Sequence, residues 1–263
     1  MKGEGRRGGD WGQAKRLSYR PCAAAGCLTV RGGACRLGPV RTMKVKIEGN
    51  RSRDELRRVA EAGADYAGVI VDVPRSPRAV RSDELGELCA DPPIAIVLVF
   101  LDADGETIRR CAATARPVAI QLHGTEPPSL VRQLSRQLPC EVWKVIHLPP
   151  AGQSVGSTGE ALAAARAYAE AGATKVVLDT AADATRAGGT GLRSDWDVAA
   201  ALVREGPVPV ILAGGLRPEN VGDAVRRVRP YGVDVASGVE RERGVKDWDA
   251  VRAFVQAARA AAS

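Results

Sequence analysis

The sequence predicts an α/β fold, a (β/α)8 TIM barrel, over residues 43–263. Apolar runs alternate with helical segments eight times in about 220 residues. The runs are almost continuously apolar, as in the strands of a parallel sheet that is buried on both faces. An open doubly wound sheet is the alternative, and it would need a Gly-x-Gly-x-x-Gly motif after the first strand. The residues at that place, Glu48-Gly-Asn-Arg-Ser, do not form one.

Helix boundaries are marked clearly in the first half of this pattern. The first helix is closed by Gly63, the second begins with a Ser82-Asp83 cap, and the fourth has prolines at its start. The predicted strands are Met43–Glu48, Tyr66–Val71, Ile94–Phe100 and Val118–Gln121. The helices predicted to follow them are Arg53–Ala62, Ser82–Cys89, Glu106–Ala115 and Pro127–Gln137.

The second half repeats the alternation. Its first helix is rich in alanine and ends at Gly172, a residue that tolerates the conformation in which many helices end. The predicted strands are Glu141–Ile146, Lys175–Asp179, Val208–Leu212 and Val233–Ala236. The predicted helices are Thr158–Ala171, Trp196–Arg204, Pro218–Arg227 and Asp247–Ala261.

The positive net charge belongs to the first 42 residues. They hold nine Lys/Arg against two Asp/Glu, whereas residues 43–263 hold 29 of each sign. A neutral body gives no electrostatic footprint for nucleic acid. We predict that residues 1–42 are a basic Gly/Arg-rich extension, either disordered or lying ahead of a true start at Met43. No apolar run approaches the roughly 18–20 residues of a membrane span.

The cysteines of the barrel region indicate a reducing compartment. Cys89, Cys111 and Cys140 have no paired spacing, so we predict buried thiols in a cytoplasmic protein.

Two carboxylates are placed for acid–base chemistry. A barrel carries its site at the carboxyl ends of its strands, where Glu48 follows the first strand and Asp179 ends the sixth. They should face each other across the barrel mouth, as proton transfer at two atoms of one substrate requires. The alternative is that they are helix caps or salt-bridge partners, and Lys46 shares the strand face of Glu48.

Glycine-rich loops predict a phosphate site beside these carboxylates. Glycine lets backbone N–H groups approach an anion, and barrels commonly bind phosphate after the last two strands. The candidates are Gly189 and Gly191 after strand six, Gly214 and Gly215 after strand seven, and Ser237 and Gly238 after strand eight.

Three further side chains belong to the predicted mouth. Arg78 is a candidate clamp for a substrate carboxylate, because a guanidinium binds one bidentately; a solvated loop charge is the alternative. Gln121 and His123 follow strand four as candidate substrate contacts. His123 is more typical of a polar wall than of a catalytic base.

Several motifs between Val45 and Glu240 are long enough to support a resemblance to a known family. The chain resembles the phosphoribosylanthranilate isomerase family of tryptophan biosynthesis from about Met43 to Ala257. The motifs include Val45-Lys-Ile-Glu-Gly49, Gln121-Leu-His-Gly124, Gly188-Gly-Thr-Gly191, Leu212-Ala-Gly-Gly-Leu-Arg-Pro-Glu-Asn220 and Pro230-Tyr-Gly-Val-Asp-Val-Ala-Ser-Gly-Val-Glu240. The resemblance implies an Amadori rearrangement of N-(5-phosphoribosyl)anthranilate, without cofactor or metal, by a monomer or homodimer.

The resemblance also implies roles. Asp179 would be the general acid that opens the ribose ring, and position 48 the base that removes the C2 proton. Arg78 would hold the anthranilate carboxylate, and the glycine loops the phosphate. The family has cysteine where this chain has Glu48, and the sibling histidine-pathway isomerase has aspartate there. The departure, together with a strand-two loop without an aromatic residue, motivates the alternative of a paralogue for another phosphorylated sugar-amine. A non-catalytic phosphosugar-binding relic is the other alternative.

Overall fold

A computed structural model describes residues 43–148, 157–180 and 195–262. The predicted basic extension, residues 1–42, lies outside the described residues. Eight parallel strands form the barrel, and their bounds are Lys44–Ile47 (β1), Tyr66–Val71 (β2), Ala95–Phe100 (β3), Ala119–Leu122 (β4), Glu141–Leu148 (β5), Lys175–Thr180 (β6), Val210–Leu212 (β7) and Gly232–Val235 (β8).

A helix follows each strand. The helices are Arg53–Glu61 (α1), Leu85–Leu88 (α2), Gly105–Ala115 (α3), Pro128–Gln137 (α4), Ser157–Glu170 (α5), Trp196–Glu205 (α6), Val221–Val228 (α7) and Trp248–Ala260 (α8). An aspartate cap begins three of them, because its carboxylate accepts the N–H groups that the first helical turn leaves without partners. Asp104, Asp195 and Asp247 each accept from the backbone N–H two residues later at 2.9 Å.

The sheet closes on itself. Each strand pairs in parallel with its neighbours in sequence, and β1 pairs with both β2 and β8. At the closing seam Lys46 lies opposite Asp234 in register. The (β/α)8 barrel predicted from the alternation is therefore confirmed, and the open doubly wound alternative is wrong.

The two faces of the strands bury different clusters. Residues such as Val45 and Ile47 point outward and pack beneath the helices, where Leu56 and Val59 of α1 are fully buried. A separate cluster fills the barrel interior from the alternate positions. Its buried members are Val97, Ala119, Trp143, Val145, Val177, Ile211 and Ala213. Burial on both faces is why the strands read as continuous apolar runs.

Several predicted boundaries are corrected. The second helix is a 3₁₀ turn, Ser82–Glu84, followed by a single α-helical turn. The seventh helix begins at Val221 rather than Pro218, because the Asn220 side chain accepts from the Arg217 N–H and holds those residues in a turn. A hairpin of Glu240–Glu242 and Val245–Lys246 after β8 was not predicted. No helix in the described ranges is long and apolar enough to cross a bilayer.

Candidate active site

The carboxyl ends of the strands surround one cavity, as the barrel fold predicts. Its volume is about 890 Å³ when the open space at its mouth is included. The predicted site residues that line it are Glu48, Arg78, His123, Asp179, Gly214, Gly215, Ser237 and Gly238. Gln121 is fully buried, with its amide nitrogen 3.4 Å from the Nδ1 atom of His123. Gly189 and Gly191 lie outside the described residues.

Glu48 faces the cavity and is held from both sides. Its backbone N–H donates to Val235 at 2.8 Å, which extends the seam between β1 and β8 by one residue. One carboxylate oxygen accepts from the Gly49 N–H at 3.2 Å, and the other accepts from the ammonium of Lys46. The side chain of Glu48 therefore lines the cavity and is also a salt-bridge partner of Lys46.

Lys46 also binds Asp234, at 2.9 Å between Nζ and Oδ2. Lys46 and Asp234 are both buried, and Asp234 lines the cavity. Burial opposes the charge of Lys46, but the two carboxylates raise its pKa and keep it an ammonium ion. Burial, with the nearby charge of Glu48, raises the pKa of Asp234 to about 6 against the lowering effect of Lys46.

Sequence reasoning did not single out Asp234. A signal was present, because Asp234 is the one carboxylate in an otherwise apolar strand, and Lys46 is the lysine at the matching register position of β1. Pairing the first strand of the barrel with the last would have brought these two charges together.

Asp179 pairs with His123 on the opposite side of the mouth. The Nε2 atom of His123 lies 3.4 Å from Oδ2 of Asp179, and the Thr180 N–H donates to Oδ1 at 2.8 Å. Burial alone would raise the pKa of Asp179, but His123 and the Thr180 N–H hold it below its ordinary value. Burial opposes a charged imidazole, but Asp179 raises the pKa of His123. The pair therefore favours a carboxylate at Asp179 and a proton on His123.

Arg78 reaches the cavity through a fixed ion pair. Its Nε and Nη2 atoms contact the two carboxylate oxygens of Glu240 at 2.6 and 2.7 Å, and both side chains are buried. Burial alone would raise the pKa of Glu240, but the guanidinium keeps it below its ordinary value. Glu240 uses only one edge of the guanidinium, so the edge formed by Nη1 and Nη2 is not taken by this pair.

The loops after β7 and β8 form the glycine-lined wall. Gly214 and Gly215 have φ values of +80° and +63°, which side chains rarely adopt. The Asn220 side chain donates to the carbonyl of Gly215 at 3.0 Å and fixes this loop ahead of α7. Gly238 packs directly against the backbone of Leu216, so the two loops lie side by side. Backbone N–H groups in such loops suit an anion.

Comparison with known proteins agrees with this geometry. The family profile described as N-(5'phosphoribosyl)anthranilate (PRA) isomerase matches residues 45–257. The chain is 38% identical to N-(5'-phosphoribosyl)anthranilate isomerase of Methanocella arvoryzae, covering 82% of this chain and 98% of the relative. It is 42% identical to the Methanopyrus kandleri isomerase, with 82% and 99% covered.

Solved structures of the same family also share the fold of this chain. Phosphoribosyl anthranilate isomerase from Thermococcus kodakaraensis superposes with a TM-score of 0.67 at 35% identity, covering 82% of this chain and 99% of that one. A further isomerase, solved with reduced 1-(o-carboxyphenylamino)-1-deoxyribulose 5-phosphate, gives a TM-score of 0.67 at 29% identity, with 83% and 99% covered. The chain belongs to the N-(5'-phosphoribosyl)anthranilate isomerase family.

Proposed function

We infer that this chain is an N-(5'-phosphoribosyl)anthranilate isomerase of tryptophan biosynthesis. It converts its substrate to 1-(2-carboxyphenylamino)-1-deoxyribulose 5-phosphate, an aldose–ketose isomerisation. The observation that carries this function, beside family membership, is one cavity lined by two acid–base groups and a glycine wall. Glu48 and Asp179 both face it, and the loops of Gly214–Gly215 and Ser237–Gly238 border it.

The substrate has an anion at each end, and the cavity offers a partner for each. The glycine loops after β7 and β8 are the proposed phosphate site, and Gly189 and Gly191 are proposed to complete it. Arg78 is the proposed contact for the anthranilate carboxylate, through the guanidinium edge that Glu240 does not use. Binding both ends positions the reacting carbons between the acid and the base. Gln121 is buried beneath His123. We propose that it supports the His123 side of the cavity and does not itself extend deep into the cavity.

Ring opening is the first proposed step. The His123–Asp179 pair gives a proton to the ribose ring oxygen, the bond from that oxygen to C1 breaks, and the nitrogen lone pair forms a C1=N iminium. The family resemblance implied that Asp179 alone supplies this proton. At rest the pair holds its proton on His123. We propose that His123 passes this proton to Asp179, which delivers it to the ring oxygen.

Proton abstraction at C2 is the second proposed step. Glu48 takes the C2 proton, and the electron pair of that bond neutralises the iminium to give an enolamine. The enolamine becomes the ketone when C1 gains a proton and the C2 hydroxyl loses one. A glutamate needs no activation to be ionised at neutral pH, whereas the thiol of a cysteine does. Lys46 fixes the Glu48 carboxylate at the cavity.

Genetic complementation tests this function directly. The chain is expressed in a cell that lacks the isomerase, and growth without tryptophan is the expected result. Glu48→Gln and Asp179→Asn, each verified as folded by circular dichroism, are expected not to support growth. A folded wild-type protein that supports no growth and turns over no phosphoribosylanthranilate would sink the proposal. Growth restored by Glu48→Cys in that case would place the fault at the base alone; otherwise a paralogue or a relic is favoured.

The oligomeric state and the cellular location of the protein are two further proposals. We propose a monomer or homodimer; one solved relative, from Thermotoga maritima, is described as a dimeric isomerase from which monomers were generated. Light scattering on the purified chain distinguishes the two states. A reducing cytoplasm is the proposed location, supported by the free thiols of Cys89, Cys111 and Cys140. Fractionation of cells that produce the chain checks it.

A further inference from the structure

Two histidines and an aspartate converge at one side of the mouth. His123 follows β4, and His147 and Asp179 lie opposite each other in register near the ends of β5 and β6. Paired residues of neighbouring parallel strands point to the same face of a sheet, so both side chains are directed inward with His123. One ligand atom from each of the three residues lies within 4.8 Å of the others.

The donor set is one that borderline divalent metals take. Two imidazoles and a carboxylate hold catalytic zinc in several enzymes. Ligands at about 2.0–2.1 Å from a tetrahedral ion lie roughly 3.3–3.4 Å from each other. The 3.4 Å between Nε2 of His123 and Oδ2 of Asp179 matches that span. The third ligand, His147, approaches with its ring centroid 5.3 Å from that of His123.

Both imidazoles have partners for the nitrogen that would not bind the metal. The Nε2 atom of His147 lies 2.9 Å from the backbone oxygen of His123. A carbonyl can only accept, so this contact places the proton of a neutral ring on Nε2 and leaves the lone pair on Nδ1. Metal-binding histidines almost always donate their second N–H in this way.

Gln121 offers the equivalent partner to His123. Its amide lies against Nδ1 of His123, while its Oε1 atom is buried and has no hydrogen-bond partner. A half-turn of the amide would bring Oε1 to Nδ1, which would then donate and leave Nε2 free for a metal. The Oε1 atom of Gln121 has no partner in the present orientation of the amide, and the turned orientation would give it the Nδ1 proton of His123.

We propose that this chain binds one divalent transition metal of the zinc class through His123, His147 and Asp179. The ion is an inhibitor rather than a cofactor, because it occupies the carboxylate that acts in ring opening. Inhibition therefore rests on the proposed function, whereas binding does not. Metal and phosphorylated substrate are expected to exclude each other.

The test uses the full chain, freed of metal with a chelator and titrated with Zn²⁺. The sequence has two histidines, so nuclear magnetic resonance of the imidazoles gives two sets of ring signals. Both sets are expected to shift with one equivalent of Zn²⁺. Calorimetry is expected to give a dissociation constant that His147→Ala weakens by at least about tenfold. His147→Ala is expected to keep the isomerase rate and to lose the inhibition.

Binding of Zn²⁺ that leaves both imidazole spectra unchanged would overturn the site and point to the cysteines instead. Equal inhibition of the wild type and His147→Ala would overturn it as well. Failure of the proposed function remains separate from failure of the site, since the imidazole spectra report binding in a chain without isomerase activity.

Discussion

Lys46 and Asp234 meet at 2.9 Å across the seam of the barrel, although 188 residues separate them in the sequence. The same ammonium binds Glu48, the proposed base. Two carboxylates therefore share one lysine at the bottom of the cavity, and the strand that closes the barrel also sets the charge around the base. A buried charge pair of this kind serves position more than stability, because desolvation offsets much of its attraction.

Asp234→Asn is expected to change how stability depends on pH. The folded-state pKa of Asp234 is raised to about 6, against about 4 in an unfolded chain. Its contribution to stability is therefore fully present below pH 4 and is lost as the pH rises through 6. Carboxylates with lowered pKa values, such as Glu240, act in the opposite direction, so the informative quantity is the difference between wild type and variant. Urea unfolding from pH 4 to 7 measures it, and parallel curves would contradict the assignment.

Gly68→Ala is expected to displace the base without unfolding the protein. A Cβ atom at Gly68 would lie 2.6 Å from Cδ of Glu48, so the carboxylate has to move. We expect kcat to fall by at least about tenfold, since small misplacements of a catalytic group are costly. Gly86→Ala is the matched control: it is exposed in α2, and its nearest contact would be 3.7 Å from Thr114. A Gly68→Ala enzyme with the wild-type kcat would show that Glu48 is not the base.

Asp179→Asn is expected to lower kcat by about 10²–10⁴-fold, the usual contribution of a general acid. The amide keeps the shape of the side chain and the contact with the Thr180 N–H, but it cannot deliver the proton. His147→Ala, at the position opposite in register, serves as the control and is expected to keep the wild-type rate. Steady-state kinetics with phosphoribosylanthranilate decide the matter. Undiminished turnover by Asp179→Asn would remove Asp179 from the mechanism.

Arg78→Lys is expected to weaken both the substrate contact and the fold. Lysine keeps the charge but cannot make two parallel hydrogen bonds to Glu240. Breaking a buried pair costs about 3–5 kcal/mol when one partner is left alone, and a lysine that still reaches Glu240 should cost less. We expect a higher KM and a lower free energy of unfolding, measured together. Arg57→Gln, at an exposed pair on α1, is the control and should change neither. An unchanged KM would assign the anthranilate carboxylate to another group.

The sequence was sufficient for the fold because the strands are buried on both faces and most of them are apolar on both. That pattern, repeated eight times, leaves few architectures open. The carboxyl-end rule then placed Glu48, His123 and Asp179 around one cavity without any knowledge of distances. Helix ends were less predictable, as at Val221, because a side chain of the following turn decides where the backbone becomes helical.

Partners across the barrel could not be predicted in the same way. The Arg78–Glu240 pair joins residues 162 apart, and its existence depends on where two loops meet in space. Asp234 acquires its raised pKa from burial and from Glu48, neither of which is visible in the local sequence. Charge state is a property of the assembled mouth, whereas the residue types are a property of the chain.

The seam between β1 and β8 has a consequence for synthesis of the protein. During translation Glu48, Arg78 and Asp179 emerge from the ribosome before Gly232–Val235, the strand that closes the barrel. Until then Lys46 has no Asp234, and β1 exposes one edge. A nascent chain can therefore carry nearly all of the catalytic groups and still be inactive, so that turnover reports completion of the polypeptide rather than the presence of its active-site residues.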